Sequence, residues 1–443
     1  MRLVAVVASG VLVATAAACS SSPDGGAVAT TRSTSTTAAV ASETAAADVT
    51  PEAWAGARAR AVQALAERRA AAAGRGDRAA WLADLDAGDP RLRAAQTAVL
   101  ARMVAMRAGD VTVAGVRERS APVPAPRGTK VDWDVRVTST YRLEGFDTAP
   151  RTFDLDLTVR ADPADPAAVT VVASRPADRP QPWDLPGLVV RRTDRALVLA
   201  VGSAGRVAEV QRRAVAAGAR VAAVWGRSRP AVWVAPATDA DAARLLGRQA
   251  SDLEGVAAAT DGPLVAGSPA GADRIVVVPG PWDSLRPAGR DVVMTHELTH
   301  ATVRSSTTRP VPLWLSEGFA ELVGYRAVDL PEATVVAPAL DAARADGLPQ
   351  GLPADSAFDP STGRLPVAYG ESLLVLRTLA DRYGTAGVVK FYRAAAGGLA
   401  VPADAVGDPD AVADRALRAE LGTDRAALVR WWQARLRTLL RQG

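Results

Sequence analysis

The sequence predicts an α+β fold of two domains, and three patterns lead to this prediction. Helical hydrophobic patterns fill residues 51–107 and then give way to alternating apolar and polar residues between 111 and 174. Short apolar strand patterns alternate with helical ones from 197 to 278, and helical patterns dominate the remainder. The 443 residues suffice for two or three domains at roughly 100–200 residues each.

The first 18 residues predict a signal peptide. Arg2 precedes sixteen apolar or small residues, too few for a comfortable membrane span, and Ala16 to Ala18 form a small-residue cleavage site before Cys19. A signal followed directly by cysteine resembles the lipobox of bacterial lipoproteins. The resemblance implies that Cys19 is lipidated and becomes the first residue of the mature chain. The alternative is an ordinary secretory signal with an incidental cysteine.

Residues 19–50 predict a flexible tether. They are rich in Ser, Thr and Ala and contain no large apolar residue beyond three valines, so they cannot bury enough surface to offset the entropy of ordering. About thirty such residues span on the order of 30 Å, enough to hold a folded body away from a membrane. We therefore expect an exported lipoprotein, held at the cell membrane by its N-terminal lipid anchor and facing the extracytoplasmic side.

The N-terminal domain is predicted to span residues 51–175. The expected helices and strands, in chain order, are helices 51–73, 79–86 and 90–107 and strands near 111–118, 131–137, 153–159 and 168–174. Three helices followed by a curved antiparallel sheet resemble the cone-shaped domain of the nuclear-transport-factor-two-like superfamily. Members often use the cone as a pocket, so the resemblance implies a spacer or binding module.

A cluster of prolines marks the predicted linker at residues 176–190, after which the second domain covers 191–443. The expected elements of this domain are strands 197–201, 231–235 and 274–278 and helices 206–217, 239–248, 288–304, 314–321, 369–384 and 423–440. Trp431 and Trp432 are expected to dock the last helix. The second domain is therefore mixed α/β at its start and helical at its end.

The composition excludes several classes of protein. Hydrophobic residues make up 49% and charged residues 23%, which excludes bulk disorder. A single cysteine excludes an intrachain disulfide. The formal net charge is +4, but basic residues are interspersed with acidic ones, so we expect no nucleic-acid partner.

Both histidines of the chain fall in one pentapeptide, His296-Glu297-Leu298-Thr299-His300. Residues four apart on a helix project from the same face, so the two imidazoles can bind one metal ion. Glu297 lies beside them, placed to act as a general base. The alternative is a surface helix with two accidental histidines. A Ser-His-Asp hydrolase would need a histidine outside this motif, and a cysteine protease would need a cysteine other than Cys19 beside the signal; the sequence contains neither.

A catalytic zinc needs three protein ligands, and without a third histidine the remaining one must be a carboxylate. The segment Trp314-Leu-Ser-Glu317-Gly-Phe-Ala-Glu321 follows the first motif and is predicted to be helical. It resembles the second zinc helix of the gluzincin metallopeptidases, which carries a W-x-x-E-G-x-A pattern after HExxH. The resemblance implies that His296, His300 and Glu317 bind one Zn²⁺ and that Glu297 is the general base.

Further residues are assigned by position near this motif. Glu321, one helical turn after Glu317, could orient a zinc-bound histidine or could be solvated or paired with an arginine. The donor for the oxyanion is expected to be a tyrosine or an arginine. Tyr369 resembles the tyrosine that a downstream gluzincin helix presents to the site, Tyr325 is the competing residue, and either could simply be packed at a helix boundary. Gly318 is expected to allow close approach of the two zinc helices.

These observations predict a zinc metallopeptidase of the gluzincin type, acting on a peptide or protein substrate. The gluzincin motif that grips a free amino terminus has no counterpart here, which favours an endopeptidase. The alternative is a non-catalytic zinc-containing binding lipoprotein whose cone-like domain holds a ligand or partner. A structural zinc site with a fourth ligand is disfavoured because no further histidine is available and the lone cysteine belongs to the signal region.

Overall fold

The computed structural model describes residues 51–120, 122, 129–263, 265, 267–400 and 407–442. The predicted signal peptide (1–18) and the tether with Cys19 (19–50) lie outside the described residues and stay predictions. The described part is mixed α+β with an N-terminal antiparallel sheet, as the sequence predicts. Among its helices, none is long and apolar enough to cross a membrane.

The N-terminal domain contains the three helices and four strands that the sequence predicts. They are α1 (Pro51–Arg75), α2 (Arg78–Ala83), α3 (Pro90–Met106), β1 (Ala108–Glu118), β2 (Val131–Leu143), β3 (Arg151–Asp162) and β4 (Asp165–Pro176). The strands form one antiparallel sheet in the order β1-β2-β3-β4. Asp89 caps α3 by accepting hydrogen bonds from the first-turn amides, and Pro90 fixes the first helical position.

One face of this sheet is buried under α1. The alternation along β2 places Trp133, Val135 and Val137 on the buried face, where they cluster with Val62 and Leu65 of α1. The period of two in the sequence therefore predicts correctly which side chains enter the core.

The segment predicted as a linker is packed against the protein. A short 3₁₀ turn, Pro182–Asp184, inserts the buried Trp183 into the core. The indole ring meets Tyr141 edge-on at 4.7 Å between ring centroids and Phe153 at 5.2 Å. These contacts hold the segment that follows β4 against β2 and β3 of the first sheet.

The second sheet is built from β5 (Val189–Arg192), β6 (Ala196–Ala200), β7 (Ala231–Ala235), β8 (Ala258–Asp261) and β9 (Arg274–Val277). Their order is β5-β6-β7-β9-β8, with a parallel centre and antiparallel strands at both edges. The sequence predicts the three central strands and misses both edge strands.

Helices complete the domain. They are α4 (Ala204–Trp225), α5 (Asp239–Leu246), α6 (Pro279–Ser284), α7 (Pro287–Arg304), α8 (Leu313–Tyr325), α9 (Glu332–Val335), α10 (Ala337–Asp346), α11 (Leu365–Arg393), α12 (Pro409–Leu421) and α13 (Arg425–Gln442). The sequence misses α6, α9, α10 and α12. Gly384 interrupts α11 with φ 71°, and Trp432 of α13 is fully buried, as predicted for the docking of that helix.

Candidate metal centre

Helix α7 carries both histidines through the interior of the protein. It packs against α4, α8 and β8, and all residues from Val292 to Val303 are buried. Because His296 and His300 are four residues apart, their rings lie side by side on one face of the helix and meet edge-on, with centroids 4.7 Å apart. The alternative of a surface helix with accidental histidines is therefore wrong.

The structure brings the three predicted metal ligands together. The Nε2 atoms of His296 and His300 are 2.9 Å apart, and each is 3.2 Å from Oε2 of Glu317 on α8. All three side chains are at most 5% exposed. Two imidazole nitrogens and one carboxylate oxygen thus converge on a common point, a group that could hold a metal ion.

This donor set fits zinc. Two histidines and a carboxylate form a known three-ligand set for catalytic zinc. A tetrahedral zinc with bonds of about 2.0–2.1 Å spaces its ligand atoms about 3.3 Å apart, close to the separations of 2.9–3.2 Å found here. The ligands therefore need only small shifts to hold the ion.

Glu321 orients one of the histidines. Its Oε1 lies 2.8 Å from Nδ1 of His296, so the carboxylate holds a proton on that nitrogen. Nε2 is then the nitrogen that can offer a lone pair to a cation. The structure thus favours the orienting role for Glu321 over a solvated glutamate, since this side chain is only 7% exposed.

The charges of the cluster depend on one another. Burial raises the pKa of Glu317, but the two imidazoles outweigh burial and lower that pKa to about 2. Burial lowers the pKa of His296, but hydrogen bonds to Glu317 and Glu321 outweigh it and raise that pKa to about 10. A cation that binds at Nε2 therefore displaces a proton.

We expect Glu321→Gln to weaken zinc binding by about 10–100-fold, because the amide is a poorer acceptor for the Nδ1 proton than the carboxylate. Competition with a chromophoric chelator measures the affinity. Glu420→Gln is the control, since Glu420 pairs with the exposed Lys390 on a distant surface. Equal zinc affinities of the two variants would contradict the orienting role.

Glu297 is hydrogen-bonded by a residue that the sequence did not single out. The hydroxyl of Thr260 on β8 donates a hydrogen bond of 2.5 Å to Oε2 of Glu297. The other oxygen, Oε1, is buried without a partner among the described residues. Burial raises the pKa of this carboxyl group. An oriented carboxylate with one free oxygen is suited to accept a proton.

Tyr369 of α11 lies against the cluster. Its ring centroid is 6.0 Å from that of His296, and Phe358 packs edge-on against its other side at 5.7 Å. Burial, followed by the charge of Glu317, raises the pKa of Tyr369 well above 10, so the phenol keeps its proton and remains a donor. Tyr325, the alternative, is also buried, and its pKa is raised by burial and by Glu321.

The glycines of α8 set its distance from two neighbouring helices. A Cβ on Gly318 would lie 2.7 Å from the carbonyl oxygen of Ser372 on α11. A Cβ on Gly324 would lie 3.2 Å from the carbonyl oxygen of Val292 on α7. From the sequence we expect Gly318 to allow close approach of α7 and α8, the helices that carry the histidines and Glu317. This expectation is wrong, because Gly318 faces α11, and Gly324 is the glycine that faces α7.

The aromatic residues beside the motif form the core. Trp314 and Phe319 are each 1% exposed, and Phe319 packs against Tyr392 at 4.9 Å between ring centroids. Neither side chain is available to touch a substrate in this conformation.

No protein family, curated protein or solved structure matches this chain.

Proposed function

We propose that this chain is a zinc-dependent peptidase in which Glu297 is the general base. The observation that carries the proposal is the buried group of His296, His300 and Glu317. The carboxylate of Glu297, on the helix of the two histidines, adds an oxygen that has no partner within the described part of the chain. The pairing of the HExxH sequence with a glutamate on the next long helix supports a gluzincin-like fold for this part of the chain. The order of helices and strands likewise supports a cone-like fold for the first domain.

The chemistry follows from the positions of these side chains. The two histidines and Glu317 would hold the zinc ion, which would supply a Lewis acid that polarises a carbonyl group and makes water easier to deprotonate. Glu297 accepts the proton of the attacking water at Oε1 and then donates it to the departing amine. Tyr369 donates a hydrogen bond to the oxyanion that develops on the carbonyl oxygen.

One observation favours the alternative of a non-catalytic zinc-containing binding lipoprotein. The cluster is closed, with His296 and Glu297 0% exposed and His300 5% exposed. A peptide can reach these residues only after the covering side chains move. A digest of a broad peptide library by the zinc-loaded chain, followed by mass spectrometry, separates the two functions. Internal cleavage supports an endopeptidase, whereas one bound zinc per chain without any cleavage supports the binding lipoprotein.

We expect Thr260→Val to lower kcat/KM by about tenfold, because the hydrogen bond to the Glu297 carboxylate is charge-assisted and buried. Its loss also removes a group that favours the ionised form of Glu297, so the acidic limb of the pH profile should move to higher pH. Thr260→Ser restores the hydroxyl and should restore the profile. An unchanged profile in Thr260→Val would contradict the positioning role.

The export signal and the lipid anchor at Cys19 remain part of the proposal. Cys19→Ala should move the chain from the membrane fraction to the soluble extracytoplasmic fraction, because the acyl chains provide the membrane affinity. Immunoblots of fractionated cells measure this distribution. A variant that stays in the membrane fraction would contradict lipidation at Cys19.

A further inference from the structure

The N-terminal domain encloses a cavity of about 420 Å³ that is separate from the metal centre. It lies between helices α1 to α3 and the sheet, and the packed segment after β4 closes one side. Apolar side chains supply most of its walls, including Trp81, Met103, Val137, Phe153, Leu157 and Trp183. The volume falls within the range of about 300–1,000 Å³ that is usual for small-molecule sites.

One arginine enters this cavity with free donors. Nε of Arg102 on α3 donates a hydrogen bond to the carbonyl oxygen of Trp183 at 2.5 Å. Its two terminal nitrogens have no hydrogen-bond partner among the described residues. Burial lowers the pKa of Arg102, and the charge of Asp184, which also lines the cavity, opposes that shift. The buried hydroxyl of Ser139, on the inner face of β2, also lines the cavity without a partner in the described part of the chain.

The other charged groups of the lining already have partners. Arg175 pairs with Asp156, and Arg244 pairs with Asp241. One oxygen of Asp184 accepts the backbone N–H of Gln181, and burial raises the pKa of its carboxyl group to about 6.

Arg69 is the remaining cation of the lining. It donates to the carbonyl oxygen of Trp81 and to the side chain of Gln96, and its guanidinium lies 4.0 Å from the centroid of the Trp81 ring. The lining thus contains four arginines and one acidic residue. Among the residues that the structure describes, Arg102 is the one of these arginines whose terminal nitrogens have neither a hydrogen bond nor an ion pair.

We propose that this cavity binds a small molecule with an apolar body and a carboxylate head group, which Arg102 and Ser139 receive. The two terminal nitrogens of a guanidinium form a planar fork that matches the two oxygens of a carboxylate. A ligand carboxylate supplies the hydrogen bonds that the terminal nitrogens of this partly buried guanidinium lack among the described residues. The apolar walls exclude a ligand without a hydrophobic body, because a polar molecule inside the cavity would find no hydrogen-bond partners along these walls.

Three probes with the same apolar body and different head groups test this proposal. Calorimetric titration of the purified chain with octanoate, 1-octanol and octylammonium should show the tightest binding for octanoate. We expect octanol to bind about tenfold more weakly, because it cannot use the guanidinium fork. Octanol binding as tight as octanoate, or no binding of octanoate at millimolar concentration, would overturn the proposal.

Two variants and a control locate the site. Arg102→Gln should weaken octanoate binding about tenfold and leave octanol binding unchanged, while Ala98→Trp should fill the cavity and abolish binding of both. Arg175→Gln is the matched control, since Arg175 lines the same cavity but already pairs with Asp156. Thermal melts confirm that each variant is folded. A folded Arg102→Gln chain that keeps its preference for octanoate would contradict the assignment.

Discussion

Replacement of Glu297 by glutamine is expected to lower peptide hydrolysis by about 10³-fold while one zinc ion remains bound per chain. The glutamine side chain has nearly the same shape, but its amide cannot accept a proton from water at neutral pH. General-base catalysis contributes about 10²–10⁴-fold to rates of this kind. Glu297 is not one of the three side chains that could hold the metal ion, so the affinity for zinc should change little.

The measurement combines a peptide-cleavage assay with metal analysis of the same sample. Glu254→Gln is the control, because this exposed glutamate lies outside the cluster. An unchanged rate in Glu297→Gln would reject the proposed general base. Loss of zinc together with activity would instead assign Glu297 a part in holding the ion.

The candidate site was largely predictable because most of its geometry is local. An α-helix fixes the relation of residues four apart, so the HExxH sequence alone places His296 and His300 side by side. The sixteen residues before Glu317 are enough for one reversal of the chain, and this carboxylate could therefore be expected on the adjacent helix. Local periodicity likewise predicted every helix and strand of the first domain.

The partner of Glu297 could not be predicted for a different reason. Thr260 belongs to the four-residue strand β8, whose sequence Ala-Ala-Thr-Asp has no strong strand preference and no alternation of burial. Its strand conformation comes from pairing with β9, in which Thr260 lies opposite Ile275. Such pairing depends on contacts between distant parts of the chain.

Helix α4 shows how packing overrides a local signal. Gly218 costs about 1 kcal/mol in a helix interior relative to alanine, so the sequence predicts an end near residue 217. The helix continues to Trp225 because Val221 and Trp225 are buried. Burying a large apolar side chain contributes about 1.5–3 kcal/mol, which exceeds the cost of the glycine.

The second large effect is expected at the junction of the two domains, where Asp147 forms a buried ion pair with Arg274. Both oxygens of Asp147 accept hydrogen bonds of 2.7 Å from the two terminal nitrogens of Arg274, and the side chains are 0% and 3% exposed. Asp147→Ala leaves the buried guanidinium without its counter-charge. We expect a loss of about 3–5 kcal/mol in the free energy of unfolding.

Urea unfolding followed by circular dichroism measures this loss, with Asp132→Ala as the control. Asp132 forms an equally short pair with Arg160, but its side chain is 42% exposed, so the control should lose no more than about 1 kcal/mol. Equal losses in the two variants would mean that burial adds nothing to the Asp147 pair.

This junction also bears on the proposed catalysis. Arg274 pairs in register with Asp261, the residue after Thr260, and Asp261 accepts hydrogen bonds from Arg151 of the first domain and from Arg179. The first domain therefore supports the strand that orients Glu297. Asp147→Ala should consequently lower hydrolysis in the folded protein without lowering its affinity for zinc. A variant that is less stable but fully active at low temperature would show that the junction supports folding alone.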